Sequence, residues 1–212
     1  MKLNWANRIT ILRLFLTVPF VSLMLKVNDP ALTQSLRDGV RYVAFALFMA
    51  MAASDAFDGY LARRRNQNTR LGAFLDPVAD KLLITSACLL LASRRGGVEP
   101  FRLPSTVVVL IIGKDLLLLI GFLLVYFITG QVRISPAPAG KAATALQLTM
   151  VAGILVGPEL TRLTTAWKLV MPVLWWSAAA AAVLALAVYL RMGSRYIEQY
   201  EQNNHRPAGP QQ

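Results

Sequence analysis

Long apolar runs, interrupted by short polar or Gly/Pro-rich stretches, set the rhythm of this chain. A helix crossing the hydrocarbon of a bilayer needs roughly 20 predominantly apolar residues. Windows of that kind fall at 8–26, 40–58, 70–93, 103–128, 139–157 and 168–191, some only when a few polar residues are admitted. Gly96-Gly97, Thr129-Gly130, Pro136 with Pro138, and Gly157-Pro158 mark the connections. Pro19 and Pro172 fall inside the windows, where a bundle can absorb a kink. The pattern predicts an all-α integral membrane bundle of six transmembrane helices. One transmembrane domain covers 1–195, and 196–212 forms a polar tail. The first apolar stretch carries Arg13 and has no small-residue cleavage site, so it is expected to be a retained helix, not a signal peptide.

Composition strengthens this picture. Hydrophobic residues make up 56% and charged residues 16%, where soluble domains average about 25% charged; mean hydropathy is +0.50. The net charge of +11 would suggest nucleic acid in a soluble protein. In an apolar bundle it instead fits Lys and Arg facing anionic lipid, so no nucleic-acid partner is expected. The compact Arg63–Arg65 cluster with Arg70 tilts the 59–70 loop towards the cytoplasm, and both termini with it. Cys88 lies in an apolar run and reads as a small buried hydrophobe. His205 is the sole histidine and sits in the polar tail, so acid-base or metal chemistry falls to carboxylates.

Four carboxylates stand out in the stretch DAFDGYLARRRNQNTRLGAFLDPVAD. Asp55 and Asp58 are spaced i, i+3 at the end of the second window. Asp76 and Asp80 are spaced i, i+4 at the start of the third, so each pair shares a helix face. Asn68 or Thr69 is placed to cap the third helix. A lone aspartate in such a place is usually a cap or an arginine partner. Four on neighbouring helices exceed that reading, because they cannot all stay ionised at low dielectric without compensation. Oxygen-only ligation suits two hard divalent ions, Mg²⁺ or Mn²⁺. Gly59, Ala62 and Gly72 leave room for close approach, and Arg63 supplies a fixed cation suited to phosphate.

Asp55-x2-Asp58-Gly59-x2-Ala62-Arg63-x8-Gly72-x3-Asp76-x3-Asp80 resembles the signature of the CDP-alcohol phosphotransferases. The stretches NRITILRLFLTVPF, with Asn7, Thr10 and Arg13, and LDPVADKLL are similar to the phosphatidylglycerophosphate synthase branch, as is the Gly140-Lys141 and Thr144 pattern. Gly113-Lys114-Asp115, by contrast, is closer to the cardiolipin synthases of the same family. The likeness covers about 4–191.

The resemblance implies CDP-diacylglycerol as donor, two divalent ions on Asp55, Asp58, Asp76 and Asp80, and Asp80 doubling as general base. It implies a CDP pocket lined by Gly59, Ala62, Arg63 and Gly72, with Asn7 and Thr10 as further contacts. Arg13, Lys81, Lys114, Arg133 and Lys141 are the candidate cations for an anionic acceptor. Lys114 and Asp115 are adjacent, and neighbours on a helix do not face each other, so separate partners are expected for them. The implied product is phosphatidylglycerophosphate, made from glycerol 3-phosphate with release of CMP. The alternative is cardiolipin from phosphatidylglycerol, with phosphatidylinositol phosphate or phosphatidylserine synthesis ranking lower. Outside the family stand an intramembrane prenyltransferase and a cation transporter. Acids clustered at one side, apart from Asp115, speak against a transport path through the membrane depth. The implied setting is a homodimer in the bacterial cytoplasmic membrane, with its active site facing the cytoplasm.

Overall fold

A computed structural model describes residues 5–65, 70–129 and 137–204. Within these, the side chains of 5–9, 55–65, 70–78, 122, 126, 128, 129 and 199–204 lie outside the description. The described residues form seven helices and no strand: α1 (Trp5–Met24), α2 (Gln34–Arg65), α3 (Arg70–Ala92), α4 (Ser105–Thr129), α5 (Pro138–Leu155), α6 (Gly157–Leu163) and α7 (Trp167–Asn204).

Each predicted window holds one long helix, but the apolar run marks only its centre. α2 starts at Gln34 and ends at Arg65, and α7 continues to Asn204, because helix geometry propagates into polar sequence once the apolar segment has nucleated it. At 32 residues α2 is about 48 Å long, well beyond a hydrocarbon core of about 30 Å. Pro19 and Pro172 sit inside α1 and α7, as expected. Among the described residues, the connection that differs is Gly157-Pro158. Instead of a loop, it starts the short helix α6, turned 69° from α5. Pro158 lacks an N–H and suits the first turn of a new helix.

The core is built from large side chains of α1 to α5, with Met171 and a run of alanines from α7. Phe20, Phe48, Ile84, Leu91, Met150 and Ile154 are fully or almost fully buried. Phe20 and Phe48 stack at 5.9 Å between α1 and α2. Ala178, Ala179 and Ala182 let α7 approach closely. Cys88 is a buried free thiol. The outside is as apolar as the inside: Phe15, Leu116, Leu124, Phe127, Leu169 and Val173 are exposed. In water such a surface would aggregate, whereas hydrocarbon covers it without cost. By length and composition α4 and α7 are each able to cross a membrane, and α5 with α6 adds a third span if the bent pair counts as one.

At the end of the bundle opposite the aspartate motif, the chain is tied down by polar side chains. The Asn28 amide donates to the carbonyls of Arg94 (3.1 Å) and Gly97 (2.6 Å), joining the exit of α1 to the α3–α4 loop. Arg41 of α2 is buried and donates to both carboxylate oxygens of Glu159, at 2.6 and 2.7 Å, and to the carbonyl of Leu155 at 2.6 Å. The Tyr42 hydroxyl adds a bond of 2.7 Å to Glu159. This clamp fixes the α5–α6 bend against α2.

Candidate functional site

The motif is carried by two helix ends. Asp55, Asp58, Gly59, Ala62 and Arg63 lie on the last turns of α2, and Gly72, Asp76 and Asp80 on the first turns of α3. Asn7 lies on the first turn of α1. Apart from Asp80, the side chains of all these residues lie outside the described ones, as does the whole of Arg133, and the proposed α3 cap at Asn68 or Thr69. Among the described side chains no cluster of three or more metal-ligating groups occurs. What fits a divalent ion is therefore the donor chemistry of the motif. Its candidate donors are carboxylates alone, on helices whose ends are joined by four residues, which is a set suited to a hard cation.

Asp80 and Lys81, adjacent on α3, point to different neighbours. Asp80 turns towards α1, where the buried Arg13 donates from Nη1 to Oδ1 at 3.0 Å. Thr10, one turn earlier on the same helix, is also buried. Lys81 turns towards α4 and donates to Asp115 Oδ1 at 2.6 Å. The same oxygen receives Lys114 Nζ at 2.9 Å. The expectation of separate partners for Lys114 and Asp115 is therefore corrected. A lysine stem is long enough to curl back to its neighbour, and Asp115 binds a cation from each of two helices. Lys114 is 4% exposed, so its charge is held inside the protein and would be costly without that carboxylate.

A cavity of about 480 Å³ opens at this point between α3, α4, α5 and α7. Asp80 and Lys81 line it from α3, and Lys114 and Leu118, one turn apart, from α4. From α5 come Gly140 and Thr144, again one turn apart, with Lys141 on the exposed flank. Ala185 and Tyr189, also spaced i, i+4, close it from α7. Three of the five candidate acceptor cations, Lys81, Lys114 and Lys141, thus surround one space beside Asp80. Arg13 is not on the cavity wall; its guanidinium reaches Asp80 from behind.

Tyr189 is the wall residue that sequence reasoning passed over. In an apolar helix near its polar end, a tyrosine reads as an interface anchor. Its hydroxyl instead accepts the backbone N–H of Ala137 at 3.1 Å, just before α5 begins. Gly140 makes this contact possible. A Cβ there would stand 2.7 Å from the tyrosine oxygen and 3.1 Å from its ring.

Comparison with known proteins bears on this arrangement. The family model for CDP-alcohol phosphatidyltransferase matches residues 3–189. A CDP-diacylglycerol–glycerol-3-phosphate 3-phosphatidyltransferase of Pseudomonas fluorescens is 40% identical over 115 residues, covering 54% of this chain and 52% of that protein. The protein of the same name from Escherichia coli (strain K12) is 57% identical over 49 residues, covering 23% of this chain and 27% of its own length. The matched region thus spans about half, or less, of the curated relatives.

Proposed function

This chain belongs to the CDP-alcohol phosphatidyltransferase family, and on that premise we propose that it transfers the phosphatidyl group of CDP-diacylglycerol to glycerol 3-phosphate, releasing CMP. The observation that carries the choice of acceptor is the lysine-lined cavity beside Asp80. A phosphate monoester carries between one and two negative charges near neutral pH, since its second pKa is about 6. Lys81, Lys114 and Lys141 outnumber the nearby carboxylates, Asp115 and the Arg13-paired Asp80, and leave the wall positive enough for such a group. The phosphodiester of phosphatidylglycerol carries one charge and needs less. Both relatives named above carry the name CDP-diacylglycerol–glycerol-3-phosphate 3-phosphatidyltransferase, which supports the same reading. Phosphatidylglycerol stays the second reading on one observation, the Gly113-Lys114-Asp115 pattern.

The chemistry then follows from position. The acceptor phosphate sits among the lysines, with a hydroxyl of its glycerol towards Asp80. Asp80 takes the hydroxyl proton as the oxygen attacks the phosphorus bonded to diacylglycerol, and CMP leaves. Arg13, bonded to the Asp80 carboxylate, fixes its orientation from α1. Asp55, Asp58, Asp76 and Asp80 would hold two Mg²⁺ or Mn²⁺ ions, which when bound neutralise charge on the pyrophosphate. Gly59, Ala62, Arg63 and Gly72, with Asn7 and Thr10, receive the cytidine and its phosphates. In this reading six spans place both termini and the site on the cytoplasmic face of a bacterial membrane. The acyl chains of the donor stay in the bilayer, and the enzyme works as a homodimer.

The test is paired. Asp76→Asn should abolish metal-dependent CMP release from CDP-diacylglycerol while the protein still inserts in the membrane. Lys114→Gln should raise the KM for glycerol 3-phosphate at least tenfold, the size expected for a buried charged contact. Normal turnover by the first variant would refute the metal assignment, and an unchanged acceptor KM in the second would refute the cavity assignment.

A further inference from the structure

Tyr189 has one hydrogen-bonding capacity that the fold does not use. Its oxygen accepts from the Ala137 N–H, while among the described residues nothing accepts its own hydrogen. A phenol in an apolar helix normally spends its O–H on a partner. Tyr189 is half-buried on the cavity wall, one turn from Ala185 and packed against Gly140, next to Lys141. Accepting from Ala137 fixes the ring and leaves the hydrogen aimed away from that bond. The bare Cα of Gly140 is what lets the ring come this close.

We infer that Tyr189 is a specificity-determining residue: its hydroxyl donates to the phosphate of the acceptor, adding a neutral, directional bond to the charges of Lys114 and Lys141. The proposal rests on the cavity being the acceptor site. Lysine ammonium groups attract any anion and rotate freely, whereas a ring pinned by a backbone N–H at one edge offers its hydrogen in one direction. Tyr189 therefore favours a phosphate monoester, whose three free oxygens can serve the tyrosine and both lysines at once, over a diester with two free oxygens and a second ester arm to accommodate. Tyr189 and Gly140 act as a pair, one supplying the donor and the other the space it occupies.

The experiment uses the purified full chain in detergent with CDP-diacylglycerol, Mg²⁺ and varied glycerol 3-phosphate. Tyr189→Phe keeps the ring and removes the hydroxyl. The KM for glycerol 3-phosphate should rise about tenfold, with kcat within about twofold and the KM for CDP-diacylglycerol unchanged. Inorganic phosphate, used as a competitive inhibitor, should lose affinity by a similar factor, while CMP inhibition stays constant. Loss of the Ala137 bond alone would lower thermal stability without touching phosphate inhibition, and that result would overturn the proposal. Gly140→Ala provides a second probe, with the hydroxyl present but displaced; it too must raise the acceptor KM, and an unchanged value counts against the proposal. Lys141→Gln separates the two levels of the argument. If it raises the acceptor KM and Tyr189→Phe does not, the tyrosine proposal fails alone. If neither variant moves it, the acceptor-site reading fails with it.

Discussion

Asp115 places two ammonium groups on one carboxylate oxygen, Lys81 at 2.6 Å and Lys114 at 2.9 Å. Removing its charge leaves the 4%-exposed Lys114 without compensation, a change that typically costs about 3–5 kcal/mol in a buried pair. Asp115→Asn is therefore expected to lower the melting temperature in detergent clearly and to raise the acceptor KM, while Asp115→Glu recovers most of both. Thermal unfolding followed by fluorescence, with kinetics in parallel, checks this. The identity of these residues was legible in the sequence, because charged side chains inside apolar windows are conspicuous. Their pairing was not. Spacing along one helix predicts which face a residue lies on, but it says nothing of how far a flexible lysine stem reaches, nor that Lys81 crosses to α4. Tyr189 was illegible for the opposite reason: an aromatic in an apolar helix has an ordinary explanation, and only its contact with Ala137 and Gly140 sets it apart.

Among the elements, the turn from α5 into α6 is where local sequence and tertiary contact meet. Gly157-Pro158 signals a break, but the 69° bend is held by Arg41 reaching from α2 to Glu159 and the Leu155 carbonyl. Nothing local to residues 155–159 names a partner more than a hundred positions away. Arg41 holds the Glu159 carboxyl well below its ordinary 4.5, at about 2. The bonded carboxylate therefore stabilises the fold fully above about pH 4.5, and that contribution is lost as pH falls through about 2. Melting temperature should drop between pH 6 and pH 3 in the wild type, and the drop should be smaller in Glu159→Gln, which starts less stable at neutral pH. Equal pH slopes in the two proteins would contradict the assignment. Gly157 tests the packing side of the same bend. A Cβ there would lie 2.5 Å from the Phe101 ring, so Gly157→Ala should destabilise by about 1–3 kcal/mol as an overpacked contact.

For the whole molecule, the hydrophobic rhythm located every long helix to within a few residues at its apolar centre, from Phe20 in α1 to Ala178 in α7. It could not give lengths, because α2 and α7 run on into Arg-rich and Glu-rich sequence. It also could not tell that the charged residues of α3, α4 and α5 surround one cavity, since that depends on how the helices rotate against each other. The proposed topology places Arg94 outside and Arg195 inside. In a Cys88→Ala background, a cysteine at 94 should react with a membrane-impermeant maleimide on intact cells. A cysteine at 195 should react only after the membrane is opened. The central claim concerns chemistry, and one measurement meets it directly: purified protein, CDP-diacylglycerol and Mn²⁺, offered glycerol 3-phosphate and phosphatidylglycerol in separate reactions, with lipid products identified by mass. The account predicts phosphatidylglycerophosphate and equimolar CMP from glycerol 3-phosphate; cardiolipin from phosphatidylglycerol with no product from glycerol 3-phosphate would contradict it.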